Sequence, residues 1–85
     1  MIGVREARLN ITWKGHNGDF TEPVSFEAAN GDLFRWAAEA IRGGAVPGIP
    51  ADPGVDLRDF VVRRFGATAD VPYNRVLLHP KTPFG

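Results

Sequence analysis

One stretch of this sequence carries a helical period, and it dictates what the remainder has to do. From Asp32 to Arg42, Leu33, Phe34, Ala37, Ala40 and Ile41 recur at spacings of three and four. That gathers them on one side of a helix and leaves Arg35, Glu39 and Arg42 toward solvent. A single amphipathic helix cannot bury its own apolar side, so the flanking segments have to cover it. Gly43-Gly44 predicts its end, because glycine enters the left-handed conformation freely, and Pro47 bars a restart. Asn30 or Asp32 is the expected N-terminal cap, since a side-chain oxygen at either position can accept from the first-turn amides.

The flanks read as strands. Ala7, Leu9, Ile11 and Trp13 alternate with Arg8, Asn10 and Thr12, the pattern of a strand with one face on a core. Lys14-Gly-His-Asn-Gly18 follows, with Asn17-Gly18 as the expected tight turn. The return from Asp19 to Phe26 alternates through Phe20, Val24 and Phe26, but Pro23 cannot donate to a ladder and sends this strand to a sheet edge. Residues 43–54 are rich in glycine and proline and predict an ordered, irregular loop anchored by Val46 and Ile49. Asp59 to Phe65 and Arg75 to His79 are the expected third and fourth strands, and Pro80 to Gly85 an extended tail. The fold class is α+β: β-β-α-β-β, with one helix laid across a mixed sheet of about four strands. At 85 residues the chain supports one core, burying about 60 to 65% of its unfolded surface. Residues 1–80 are the expected single domain and 81–85 its tail.

Signatures of chemistry are missing for stateable reasons. With no cysteine, there is no disulfide framework and no thiolate nucleophile or ligand, which fits a reducing cytoplasmic setting. No run approaches the roughly 20 apolar residues of a membrane helix, and Met1 to Arg5 lacks the sequel of a signal peptide. The glycines at 43, 44 and 48 follow a helix and no Gly-Lys-Ser or Gly-Lys-Thr closes them, so they do not make a phosphate loop. His16 reads as a solvated turn residue and His79 as a strand-end residue suited to capping or a partner contact. Ser25 reads as a local hydrogen-bonder, without a nucleophile elbow around it. Asp52, Asp56 and Asp59 fall short of a calcium loop and read as a polar loop. No catalytic residue, metal or cofactor is expected.

Charge points to binding. Ten basic and ten acidic side chains cancel, which argues against a general nucleic-acid binder and leaves a small nucleic-acid-binding domain as a second alternative. The acids weight the first half and Arg58, Arg63, Arg64, Arg75 and Lys81 the last third. Arg63 and Arg64 are neighbours in a strand and point to opposite faces. A guanidinium on the open sheet face beside Arg75 or Arg58 would recognise an acidic partner. Trp36, at the edge of the helix's apolar arc, fits core packing or a partner contact. Phe84, set off by two prolines, either folds back or is offered to another molecule.

The hairpin over 7–26, the helix over 32–42, the Gly48-Ile49-Pro50 segment, the strand from Phe60 to Arg63 and the closing strand from Arg75 to His79 resemble the ubiquitin-like β-grasp fold. More narrowly, the chain is similar to small bacterial ubiquitin-related proteins. The resemblance implies a protein-docking surface on the open sheet face. It also implies a C-terminal tail that, in conjugated or sulfur-carrying members, ends in two glycines and is adenylated by an activating enzyme. Gly85 matches that ending and Phe84 departs from it. The resemblance therefore places the chain with members that bind non-covalently to another protein or a larger complex. A modifier or sulfur carrier activated at Gly85 is the alternative it implies.

Overall fold

A computed structural model describes residues 2–81. Within them the chain runs β1 (Glu6–Trp13), β2 (His16–Asp19), β3 (Val24–Ser25), α1 (Asn30–Arg42), β4 (Phe60–Phe65) and β5 (Asn74–Pro80). One helix packs on a mixed sheet of five strands, ordered β2-β1-β5-β4, with β3 also against β1. The central pair, β1 and β5, is parallel, with Leu9 opposite Val76 and Ile11 opposite Leu78. Every other pairing is antiparallel. The alternation in β1 buries Ala7, Leu9, Ile11 and Trp13 against Leu33, Ala37 and Ile41 of α1. Val76 and Leu78 of β5 complete that layer. Phe34 and Ala40, on the flanks of the helical arc, are only half-buried.

The returning edge strand is broken where Pro23 falls. Asn10 faces Asp19 and Ala7 faces Val24, so three steps along β1 are matched by five along the return. The surplus bulges out around Pro23, which lacks the donor that continuous pairing needs. The hairpin turn lies elsewhere than expected. Lys14 and Gly15 take it, with φ of 49° and 81°, and Trp13 pairs with His16 across it. Two consecutive positive φ values are the mark of the hairpin turn whose twist matches that of the strands. Asn17 and Gly18 lie in β2, so His16 is a strand residue. Gly18 is demanded by packing: a Cβ there would collide with the Pro47 carbonyl oxygen.

The helix starts earlier than the sequence pattern places it, and neither expected residue caps it. Ala29 holds the N-cap position without a side-chain bond. The Asn30 oxygen instead accepts from the Arg64 guanidinium at 2.6 Å. At the other end Ala45 N–H donates to Ala40 O at 2.8 Å and Gly44 N–H to Ile41 O at 3.1 Å. With Gly44 at a φ of 71°, this is the Schellman arrangement that satisfies the last-turn carbonyls. Val46 and Ile49 anchor the following loop as expected, joined by Leu57. β5 runs on through Pro80, which sits opposite Phe60, and Lys81 N–H donates to Asp59 O at 3.2 Å. Proline is tolerated there because the ladder asks nothing of its nitrogen.

Asp52 latches the loop to the sheet. It accepts from Trp13 Nε1 at 2.9 Å and Gly54 N–H at 2.9 Å, with Lys14 Nζ at 3.2 Å. The Trp13 bond chiefly, then Gly54 and Lys14, hold its carboxyl below the usual carboxylate range. Asp56 is lowered in the same way by Arg58. A carboxylate with a depressed folded pKa adds stability above its unfolded pKa of about 3.9 and loses it as pH falls through the folded value. Thermal denaturation of Asp52→Asn should therefore show a lower Tm at pH 7 and a flatter fall of Tm below pH 4 than the parent. Parallel pH curves for the two would show that Asp52 does not link folding to protons.

Candidate functional site

With α1 covering one face of the sheet, the strand register assigns the side chains of the other. Arg8 stands opposite Arg75, Asn10 opposite Leu77, Arg63 opposite Leu77 and Phe65 opposite Arg75. Paired residues share a face, so Arg8, Arg75 and Arg63 converge on the open side, with Val61 and His79 one pair along. Each of the first two guanidiniums lies over an aromatic ring. Arg8 is 5.0 Å from the Tyr73 centroid and Arg75 is 5.3 Å from that of Phe65, within the range of cation–π attraction. Arg8, Asn10, Asp19, Tyr73, Arg75 and Leu77 line a basin of about 210 Å³ between them.

Polar pairing in this basin is uneven. Asp19 accepts from Asn10 at 2.8 Å and more distantly from Arg8 at 3.4 Å. That ion pair is about half exposed on each side, where such pairs are worth about 0 to 1 kcal/mol. Asn10 and Asn17 exchange amide hydrogen bonds at 2.8 and 2.9 Å. Arg75 is different. Its Nε is buried and meets no acceptor among the described residues, although a buried donor left unmade costs about 1 to 3 kcal/mol. Two like charges directly across a strand pair are unfavourable as well. A negatively charged group docking over Arg8 and Arg75 would relieve that repulsion.

The structure separates the residues that the sequence singles out. Arg63, Arg75 and His79 share the open face, and His79 Nδ1 lies 2.9 Å from Pro80 O. Arg64 crosses to the helix side, donating to Phe26 O, Ala28 O and Asn30 Oδ1 at 2.6 to 2.7 Å. Arg58 is in the loop before β4 and not on a strand, its guanidinium closed on Asp56 at 2.7 to 3.1 Å. Trp36 is on another surface, in a groove of about 550 Å³ between α1 and β3 with Phe20, Pro23, Glu22 and Glu39. That groove is the larger hollow, but its rim is acidic and its lining apolar. It brings no cationic side chain among its lining residues, so the smaller basin, with two guanidiniums, is the better candidate for an acidic partner. Lys81 follows β5, while Phe84 and Gly85 lie outside the described residues.

Arg8, Phe65 and Tyr73 were missed as site residues. Arg8 carries a signal, since alternation places it opposite Leu9 on the uncovered face, but its closeness to Arg75 emerges only from the parallel β1–β5 register. Chemically, a guanidinium offers hydrogen-bond donors and no acceptor, so what Arg8 and Arg75 bring to the basin is donor capacity and positive charge. Ser25 Oγ accepts locally from Glu27 N–H at 3.3 Å. Among the described residues no three histidine or acidic side chains are grouped to hold a metal, and no helix is long and apolar enough to cross a membrane. Comparison with family models, with curated proteins and with solved structures finds no match to this chain.

Proposed function

We propose that this chain is a non-catalytic protein-interaction module of the ubiquitin-like β-grasp type, binding an acidic partner protein through its open sheet face. Support for the β-grasp reading comes from the connectivity: an N-terminal hairpin, a helix across the sheet, and a last strand parallel to the first at its centre. The observation that carries the binding reading is Arg75. It is stacked on Phe65, set beside Arg8, and has no carboxylate partner among the described residues. Carboxylates match guanidinium geometry and accept such donors in pairs. The balanced net charge makes the attraction local to this face.

Titration with blocked hexaglutamate, followed by arginine Nε and backbone amide NMR signals, tests the reading. Shifts should centre on Arg75, Arg8 and Arg63 and weaken with salt. Arg75→Glu should lower affinity about tenfold or more, as loss of a close charge pair does. Shifts confined to the groove around Trp36, or affinity unchanged in Arg75→Glu, would remove the basis for this site. A mass gain at Gly85 with ATP and an adenylating enzyme would replace the non-covalent reading with the modifier one.

A further inference from the structure

The two edges of the sheet are unequal. On one side the edge is divided between β2 and β3, with the Pro23 bulge between them. A broken, proline-bearing edge resists further pairing. On the other side β4 runs unbroken from Phe60 to Phe65 and is paired only with β5. The direction of its free groups follows from the ladder. Lys81 N–H donates to Asp59 O, and hydrogen-bonded pairs alternate along an antiparallel ladder. Residues 59, 61, 63 and 65 therefore turn their backbone groups inward to β5, while Phe60, Val62 and Arg64 turn theirs outward. Phe60 N–H closes locally on Leu57 O at 3.1 Å. The N–H groups of Val62 and Arg64 have no partner among the described residues.

We infer that an extended acidic segment of a partner protein docks as an added strand along β4, accepting hydrogen bonds from the Val62 and Arg64 N–H groups. The acidity of that segment rests on the sheet-face reading above; the mode of docking does not. Charge selects the occupant. Arg63 projects on the open face and is exposed. Arg64 projects on the helix face, where its hydrogen-bond acceptors are two carbonyls and an amide oxygen, all neutral. Two cationic charges thus flank the edge, one on each face, with no carboxylate among the described residues assigned to either. A second copy of β4 pairing antiparallel would bring its own Arg63 and Arg64 against this pair, and like charges across a strand pair repel. An added strand with two consecutive acidic residues presents one to each face. Val61, Val62 and Phe65 leave room for apolar side chains around them. Main-chain bonds supply affinity and side chains selectivity in such strand addition.

The probe is the blocked peptide acetyl-Val-Val-Glu-Glu-Val-Thr-amide, with amide hydrogen exchange read by NMR. Exchange at Val62 and Arg64 should slow about tenfold or more at saturation, about 1.4 kcal/mol by the conversion of free energy to equilibrium constant. A peptide N-methylated on its central residues should lack the effect, and so should a Val62→Pro variant. Val62→Pro removes an outward donor and no β4–β5 bond, and an edge tolerates proline; an unchanged amide spectrum away from β4 checks its fold. Peptide-induced shifts at Arg75 with unaltered exchange at Val62 and Arg64 would overturn strand addition while leaving the sheet-face reading in place. Protection that survives both Arg63→Glu and Arg75→Glu would overturn the acidic partner and leave the docking mode. Protection that rises with protein concentration in the absence of peptide would overturn both, naming a second copy as the occupant.

Discussion

Gly18→Ala is expected to be severely damaging for the addition of a single methyl, lowering stability by about 3 kcal/mol and Tm by roughly 15 °C. Gly18 is buried in β2 opposite Ile11, where the turn at 46–49 lies directly on the strand backbone. An added Cβ would overlap the Pro47 carbonyl oxygen and come within 3.0 Å of Val46 Cγ1. Backbone atoms cannot step aside as the tip of a flexible side chain can, so either the loop lifts or β2 shifts. Lifting the loop takes Val46 and Ile49 out of the core. Gly48, at a φ of 90°, meets Asn17 O from the opposite side of the same approach, so the two glycines form one seam. Gly31→Ala is the internal control. Nothing lies within 4 Å of its Cβ position in α1, and there alanine should add about 0.5 kcal/mol through helix propensity. Urea denaturation separates the two: equal effects at positions 18 and 31 would mean the seam is not packed as described.

The seam also shows which features of the fold were legible from the sequence. Asn17-Gly18 has the composition of a hairpin turn, and local chemistry alone selects it. What displaces the turn to Lys14-Gly15 is a contact with residues almost thirty positions away, which no local pattern contains. Helix and strand identities were legible because the periodicities of α1 and β1 are themselves the imprint of the core. The N-cap was not, since Asn30 turns its oxygen to Arg64 on β4, a tertiary bond that overrides a local preference. The candidate site follows the same division. That Arg63 and Arg64 part to opposite faces is a property of any strand. That Arg8 and Arg75 meet depends on a parallel register between residues far apart in the chain.

Asn74→Asp should be the most pH-sensitive substitution in the molecule, destabilising at pH 7 by about 3 kcal/mol and recovering in acid. Asn74 is 9% exposed and is the buried polar residue of the described core. Its Nδ2 donates to Val4 O at 2.9 Å and Glu6 O at 3.1 Å, and its Oδ1 accepts from Ala67 N–H at 2.9 Å. One donor and two acceptors around it leave no ambiguity in which atom is nitrogen. Through these bonds it ties the N-terminal segment and the loop after β4 to the start of β5. An aspartate would turn an anionic oxygen toward two carbonyls and bury the charge, raising its pKa in the folded state above the unfolded value of about 3.9. A group raised in this way binds more protons folded than unfolded. Stability therefore falls as pH rises from about 4 to the folded pKa and levels off above it. Below about pH 4 the protonated acid can donate to one carbonyl and most of the loss should vanish. Asn74→Leu, with no proton to gain, should lose a similar amount at every pH. Chemical denaturation of the parent and both variants from pH 4 to pH 7 provides the comparison, and a pH-independent loss in Asn74→Asp would mean that the Nδ2 donation to Val4 and Glu6 does not hold this corner together.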